Sequence, residues 1–323
     1  MLDKIARAKE SVLSRVKHTS TITSDRYVVA LDVGTENVKA LIGKIHGNSI
    51  DIIGVGKAHQ GLSDMQAGAV ADIAAVTANC NEALAQAEEQ AGVSARAVVI
   101  GIAGELVKGT TISVRVSRKD AKKALEIEEV EKIITLVQER AFEKAKEQIA
   151  VELGGKDVEV QLVNSALVRM EIDGYTVTNP VGFQGKEVTV QLYTAFAPLI
   201  HIGALEQVAS QLDMDLLAVA AEPFAVARSV VGDDDSSLSA ILMDVGGGTT
   251  DIAVLDEGGV QGTKMFGIGG RAFTKQIERD LGVPFDQAET HKVALSKGAL
   301  PDAKKKSVEK SLMKTVKVWR SGV

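Results

Sequence analysis

The chain has 323 residues, 45% of them hydrophobic and 25% charged, with five prolines and a formal net charge of -6. That length suggests roughly two domains of about 150 residues each, the composition is that of a folded globule, and the acidic balance argues against a nucleic-acid partner, which would call for a basic field. A single cysteine, Cys80, can close no internal disulfide and build no metal cluster, and there is neither a membrane-length apolar run nor a signal-peptide core, so the chain reads as cytoplasmic and neither spanning nor secreted.

Residues 1–24 form a leader. Leu2, Ile5, Val12, Leu13 and Val16 fall at helical spacing over residues 1–19, with Lys4, Arg7, Lys9, Arg15 and Lys17 around them. Such a helix can lie on an anionic membrane or dock on the protein's own surface, and the segment also reads as a flexible leader. YVVALDVGTENVKALIGKI then predicts a β-hairpin with a polar tip, opening a first domain over 25–94. SIDIIGVGKA continues its sheet, and a helix over about 72–90 ends at Gly92. AVVIGIAG, a charged helix over about 128–148 and the strands VEVQLVNSALVRMEI and VTVQLYTAFA suggest an inserted α+β piece, placed at 95–178. The first domain resumes over 179–234, with helices at about 202–212 and 222–231 and a DDDSS turn. The second domain, 235–323, opens on MDVGGGTTDIAVL, which repeats the theme of LDVGTENVKALIG.

The repeated hairpin carries the chemistry. Gly34 in one copy and Gly246, Gly247 and Gly248 in the other let backbone N–H groups approach a phosphate, since no Cβ intervenes. Thr35, Thr249 and Thr250 add hydroxyl donors. Asp32 and Asp244 end the strands before each turn, where a carboxylate beside a polyphosphate implies an intervening Mg²⁺ and its waters. Lys39 stands on the returning strand as a point charge for phosphate. One Asp-Gly turn is ordinary hairpin chemistry; two in the same frame imply tips that face each other across a cleft. Downstream, Glu289 and Lys292 share a helix face and read as a surface ion pair, while Gly269 and Gly270 in GIGGRAFT can bring backbone close to a nucleotide or simply join strand to helix.

Taken with GIGGRAFT and AETHKVALSKG, the two hairpins resemble the actin, MreB and heat-shock-chaperone ATPase superfamily across most of the chain. The resemblance implies an α/β, actin-like (ribonuclease-H-like) two-domain ATPase fold with ATP and Mg²⁺ as cofactors. Asp32, Gly34, Thr35, Lys39, Asp244, Gly246, Gly247, Gly248, Thr249, Gly269 and Gly270 would hold the phosphates and metal, and Glu289 and Lys292 would flank the nucleoside. Within the superfamily, IDIIGVGKAHQGLSDMQAGAVADIAAVTANCNEALAQAEEQAGVSARAVVIGIAG and TNPVGFQGKEVTVQLYT are similar to the FtsA family. That implies an FtsA-type inserted subdomain and a cell-division scaffold that holds the C-terminal tail of FtsZ, recruits other division proteins, self-associates into filaments and sits peripherally on the inner face of the cell membrane.

AEPFAVARS looks more like MreB, the chaperones and PilM, a cytoplasmic ATP-binding component of type IV pilus assembly, which is the alternative reading. It makes Glu222 a candidate for orienting the hydrolytic water, or else an acid favoured by a helix N-terminus. With Asp244 it would support slow Mg-dependent ATPase activity at most. The Gly-rich loop that closes over adenosine and the C-terminal membrane helix of FtsA have no counterpart here, so the second domain reads as incomplete and the C-terminus as truncated. No sugar-kinase signature is found.

Overall fold

The protein is described by a computed structural model covering residues 27–47, 49–230 and 238–323. The amphipathic leader and the DDDSS turn lie outside the described residues.

A five-stranded sheet starts the molecule, built from β1 (Tyr27–Val33), β2 (Asn37–His46), β3 (Ser49–His59), β6 (Ala97–Ile102) and β11 (Asp215–Ala221), in the order β11-β6-β1-β2-β3. The short pair β4 (Met65–Gln66) and β5 (Ala69–Val70) leads into helix α1 (Ile73–Ala91). β1, β2 and β3 are antiparallel neighbours, while β6 and β11 run parallel to β1. Asp72 caps α1 by accepting a hydrogen bond from the Ala75 N–H at 3.0 Å, and Gly92 ends it in the left-handed region. The buried face of α1 is Val76, Cys80, Ala83, Leu84 and Ala87, and burial pushes the Cys80 thiol up to about 12. Two glycines of β3 make this packing close: a Cβ at Gly54 would strike the Ala87 carbonyl, and one at Gly56 the Ala83 carbonyl.

The second sheet has seven strands in the order β12-β13-β14-β7-β10-β8-β9. β7 (Lys108–Ser117), β8 (Val160–Ile172), β9 (Tyr175–Thr176) and β10 (Glu187–Pro198) form one half, covered by α2 (Ile127–Glu152). The helix buries Val130, Ile133, Val137, Ala141, Ala145 and Ile149, its period-3.6 stripe. Arg118 pins its first turn through a two-pronged ion pair with Glu129 at 2.8 and 3.0 Å. β12 (Ala240–Val245), β13 (Thr250–Asp256) and β14 (Gly259–Phe266) form the other half. The halves join where Gly262 pairs with Thr110 and Thr263 with Gly109.

Two boundaries fall elsewhere than expected. β6, placed by its sequence in the inserted piece, pairs with β1 of the first sheet, and β10, whose strand VTVQLYTAFA reads with the inserted piece but falls past its boundary at 178, pairs with β7 and β8. Strand partners depend on long-range contacts that a residue-by-residue pattern does not carry. Nor does each sheet keep a separate core: one buried cluster runs from Val29 and Ile100 through Tyr193 and Ala195 to Ala253 and Met265.

α3 (Leu199–Gln211) packs beside the first sheet, α4 (Glu222–Val230) lies between β11 of the first sheet and β12, β13 and β14 of the second, and α5 (Gly270–Leu281), α6 (Phe285–Ser296) and α7 (Asp302–Gly322) pack together after β14. Among the described residues no helix is long and apolar enough to cross a membrane.

Candidate functional site

Each hairpin delivers an aspartate to the same place. On β1 and β2, Asp32 lies directly opposite Lys39, and their side chains meet at 2.7 Å. On β12 and β13, Asp244 lies directly opposite Asp251. The two copies are therefore superposable in frame but not in charge: where the first pairs an acid with a base, the second sets two acids face to face.

Both turns open on one cleft of about 280 Å³, lined among others by Asp32, Gly34, Thr35, Lys39, Glu222, Asp244, Gly246, Gly247, Thr249 and Asp251. Glu222 enters at the first residue of α4. Burial, together with the carboxylates of Asp32, Asp251 and Asp244, pushes its carboxyl well above the usual range. Asp251 is 3% exposed; burial raises it to about 7, with Asp244 and Asp32 adding to the shift and the Thr249 hydroxyl opposing it. Lys39 is raised in turn, chiefly by its hydrogen bond to Asp32, with the charges of Asp244 and Glu222 contributing. Four carboxyl groups thus share one ammonium, a cleft hostile to a bare polyphosphate and suited to one that brings a divalent cation.

The tips are built tightly. The Gly246 N–H donates to the Thr249 carbonyl at 3.0 Å, closing the second turn. A Cβ at Gly34 would lie 2.8 Å from the Asn37 carbonyl oxygen, so the first turn also has room only for glycine. Gly248 rests on the Thr35 side chain and Gly247 on Glu36. Gly247 and Gly248 are accordingly at the tip-to-tip contact, and of the two only Gly247 also faces the cleft.

Gly269 and Gly270 lie behind the second tip, at the N-terminus of α5, where the Gly270 N–H donates to the Gly246 carbonyl at 2.8 Å. Glu289 and Lys292 share a face of α6, as their spacing requires, and meet at 2.7 Å. They are more than a solvated pair, because the Lys292 ammonium also donates to the Gly270 carbonyl at 3.0 Å and the Thr274 hydroxyl at 2.8 Å, and Thr274 bonds Glu289. This group supports the Gly269–Gly270 backbone and stands apart from the residues lining the cleft.

Sequence reasoning passed over Asp251, Glu36 and Arg271. The first was legible in the repeat itself, since Asp251 follows Asp244 by the interval that separates Lys39 from Asp32. Among the described residues no group of three or more His, Cys, Asp or Glu side chains is gathered closely enough to ligate a metal on its own. The donors that fit Mg²⁺ here are spaced carboxylates acting through water, and the buried, unpartnered Oδ1 of Asp251 is one acceptor still in want of a donor.

The fold that places two such hairpins across a cleft is that of the actin-like ATPases. A chain from a PilM-PilN type IV pilus biogenesis complex shares it, with a TM-score of 0.62 and 16% identity over 90% of this chain and 73% of that one. In sequence, the family described as Cell division protein FtsA matches residues 241–318. FtsA of Bacillus subtilis is 25% identical over 85% of this chain and 59% of its own length, and FtsA of Neisseria meningitidis serogroup B is 27% identical over 83% and 61%. The chain is thus similar in sequence to the cell division protein FtsA, and it spans about three fifths of the length of these curated relatives.

Proposed function

We propose that this chain is an ATP-binding, actin-like cell-division scaffold of the FtsA type. The observation that carries the reading is the convergence of both Asp-x-Gly turns on one cleft. The cleft suits the polyphosphate end of a nucleotide, being at the lower end of small-molecule pocket volumes, typically about 300–1,000 Å³. Backbone N–H groups at Gly34–Thr35 and Gly247–Thr249 and the Lys39 ammonium would bind phosphate oxygens. Gly269 and Gly270 would back the phosphate end, and Glu289 and Lys292 would flank the nucleoside.

Asp32 and Asp244 would hold Mg²⁺ through its waters, and the ion would neutralise the charge that the acidic cleft otherwise opposes. Glu222, whose carboxyl is pushed well above the usual range by burial and by the neighbouring carboxylates, would become a better water-orienting base once cationic charge enters. Any hydrolysis is therefore slow and metal-dependent.

On this reading the chain binds the C-terminal tail of FtsZ, contacts other division proteins, assembles into filaments and works at the inner face of the cell membrane. The leader over residues 1–24 offers basic and apolar side chains for that surface. The alternative, a PilM-like part in type IV pilus assembly, shares the fold and predicts a different peptide partner. Two measurements decide: fluorescence titration with Mg·ATP tests the cleft, and competition between an FtsZ C-terminal peptide and the cytoplasmic N-terminal peptide of a PilN-type protein tests the role. Capture of the PilN-type peptide alone overturns the division reading, and failure to bind Mg·ATP overturns the nucleotide reading.

A further inference from the structure

Arg271 touches both hairpins at once. Its own backbone N–H donates to the Gly247 carbonyl at 2.8 Å, which fixes the residue to the second tip. Its guanidinium crosses to the first: Nε donates to Glu36 Oε2 at 2.6 Å, and the two terminal nitrogens to the carbonyls of Gln60 at 2.9 Å and Gly61 at 3.4 Å. The side chain is 9% exposed. Glu36 sits at the turn of the first hairpin, and its backbone carbonyl accepts from the Gln60 N–H at 3.0 Å, so the same turn and loop are already bound to each other. His59 Nδ1 stands 3.7 Å from the other Glu36 oxygen.

Around this ion pair the tips are in contact. A Cβ at Gly247 would lie 2.7 Å from Glu36 Cβ, and Gly248 rests on Thr35. A second tie lies nearby, where Glu105, in the loop after β6, accepts from the Gly267 N–H at 2.7 Å. Thr35 and Gly248 leave no room for a phosphate between them, and the Arg271–Glu36 pair bridges the same two tips.

We infer that Arg271 and Glu36 form a clasp that keeps the two hairpin tips together and sets how fast a nucleotide enters and leaves the cleft. The second clause rests on the nucleotide reading; the first does not. A planar guanidinium suits this position, because it serves a carboxylate and two carbonyls in one fork while its charge stays neutralised. The pair is a positioning device: it acts on phosphate through the turns that carry it.

The test uses the full chain and the variant Glu36→Gln, which keeps size and removes charge. Hydrogen–deuterium exchange without nucleotide reads the clasp. Amides of residues 34–37 and 246–249 are expected to exchange slowly in the parent and about ten-fold faster, at both tips together, in the variant, the scale of one lost charge-assisted hydrogen bond. Stopped-flow mixing with Mg²⁺ and N-methylanthraniloyl-ATP reads the gate: the association and dissociation rate constants should both rise, by a similar factor. Unchanged exchange, or a rise confined to one tip, overturns the clasp. Raised exchange with unchanged nucleotide rates overturns the gate. If the parent binds no nucleotide, the nucleotide reading fails and the exchange result still decides the clasp. Arg271→Lys keeps the charge and loses the fork; it should fall between parent and Glu36→Gln, and decides the matter if that variant does not fold.

Discussion

Asp251 accepts a 3.2 Å hydrogen bond from the Thr249 hydroxyl through Oδ2, while its Oδ1 is buried with no partner. Buried and facing Asp244, its carboxyl is raised to about 7, against about 3.9 in an unfolded chain. The folded state therefore holds this proton more tightly. Its contribution to stability is complete below about pH 4 and is lost as pH rises toward 7. Asp251→Asn removes the ionisation, so in the absence of nucleotide and divalent cation the variant should be more stable than the parent near pH 8, by roughly 2–4 kcal/mol. The difference should fall to near zero near pH 4. Urea unfolding at both pH values measures it, and a variant that gains nothing on going to high pH sinks the assignment.

Any side chain at Gly247 runs into Glu36 and displaces the N–H groups that surround it. Gly247→Val should cost Mg·ATP affinity at least about ten-fold, or 1.4 kcal/mol, with the far-UV circular dichroism of the parent retained. Calorimetric titration checks this, and affinity within twofold of the parent would remove the second tip from the site.

Glu222 and Asp244 should separate in kinetics. Glu222→Gln is expected to leave nucleotide affinity nearly unchanged and to lower any hydrolysis by about 100-fold, the scale of a lost general base. Asp244→Ala should instead weaken the dependence on Mg²⁺ concentration. Single-turnover hydrolysis across a magnesium series distinguishes them. Parental hydrolysis in Glu222→Gln would leave that residue as the acid at the start of α4 and nothing more.

Much of this was legible. The hairpins declared themselves because strand, turn and strand are contiguous and the turn chemistry is specific. α1 was expected over 72–90 and runs Ile73–Ala91, since Asp72 and Gly92 bracket an apolar stripe. α2 exceeds its expected 128–148 by one residue at the start and four at the end, at Ile127–Glu152, because Ala150 and Val151 continue the helix past the last periodic position. What stayed hidden lies between distant residues: Glu36 and Arg271 are 235 positions apart, and nothing local in either predicts the other. The pairing of β14 with β7 is hidden for the same reason. The raised carboxyl of Asp251 depends on burial, which a polar residue at the start of a strand does not announce.

The contact of α1 with β3 supplies a test of the fold alone. Because the Ala83 carbonyl occupies the space a Cβ would need, Gly56→Ala must push helix from sheet. The expected loss is about 1–3 kcal/mol, typical of an overpacked core, with nucleotide binding retained at low temperature. Denaturant midpoints measure the loss, and a variant as stable as the parent would mean that α1 moves aside freely.

The seam between β14 and β7 is only two residue pairs wide, and it is reinforced by the Thr111 hydroxyl on the Val260 carbonyl at 2.6 Å and by Tyr193 against Thr263 at 3.2 Å. Those few bonds make the strands beneath α2 an extension of the strands that carry the second Asp-x-Gly turn. On the nucleotide reading, a rotation that opened or shut the cleft would then also swing α2, delivered along one plank of sheet. The surface of α2 would be a dial on which another molecule could read the occupancy of a cleft it never touches.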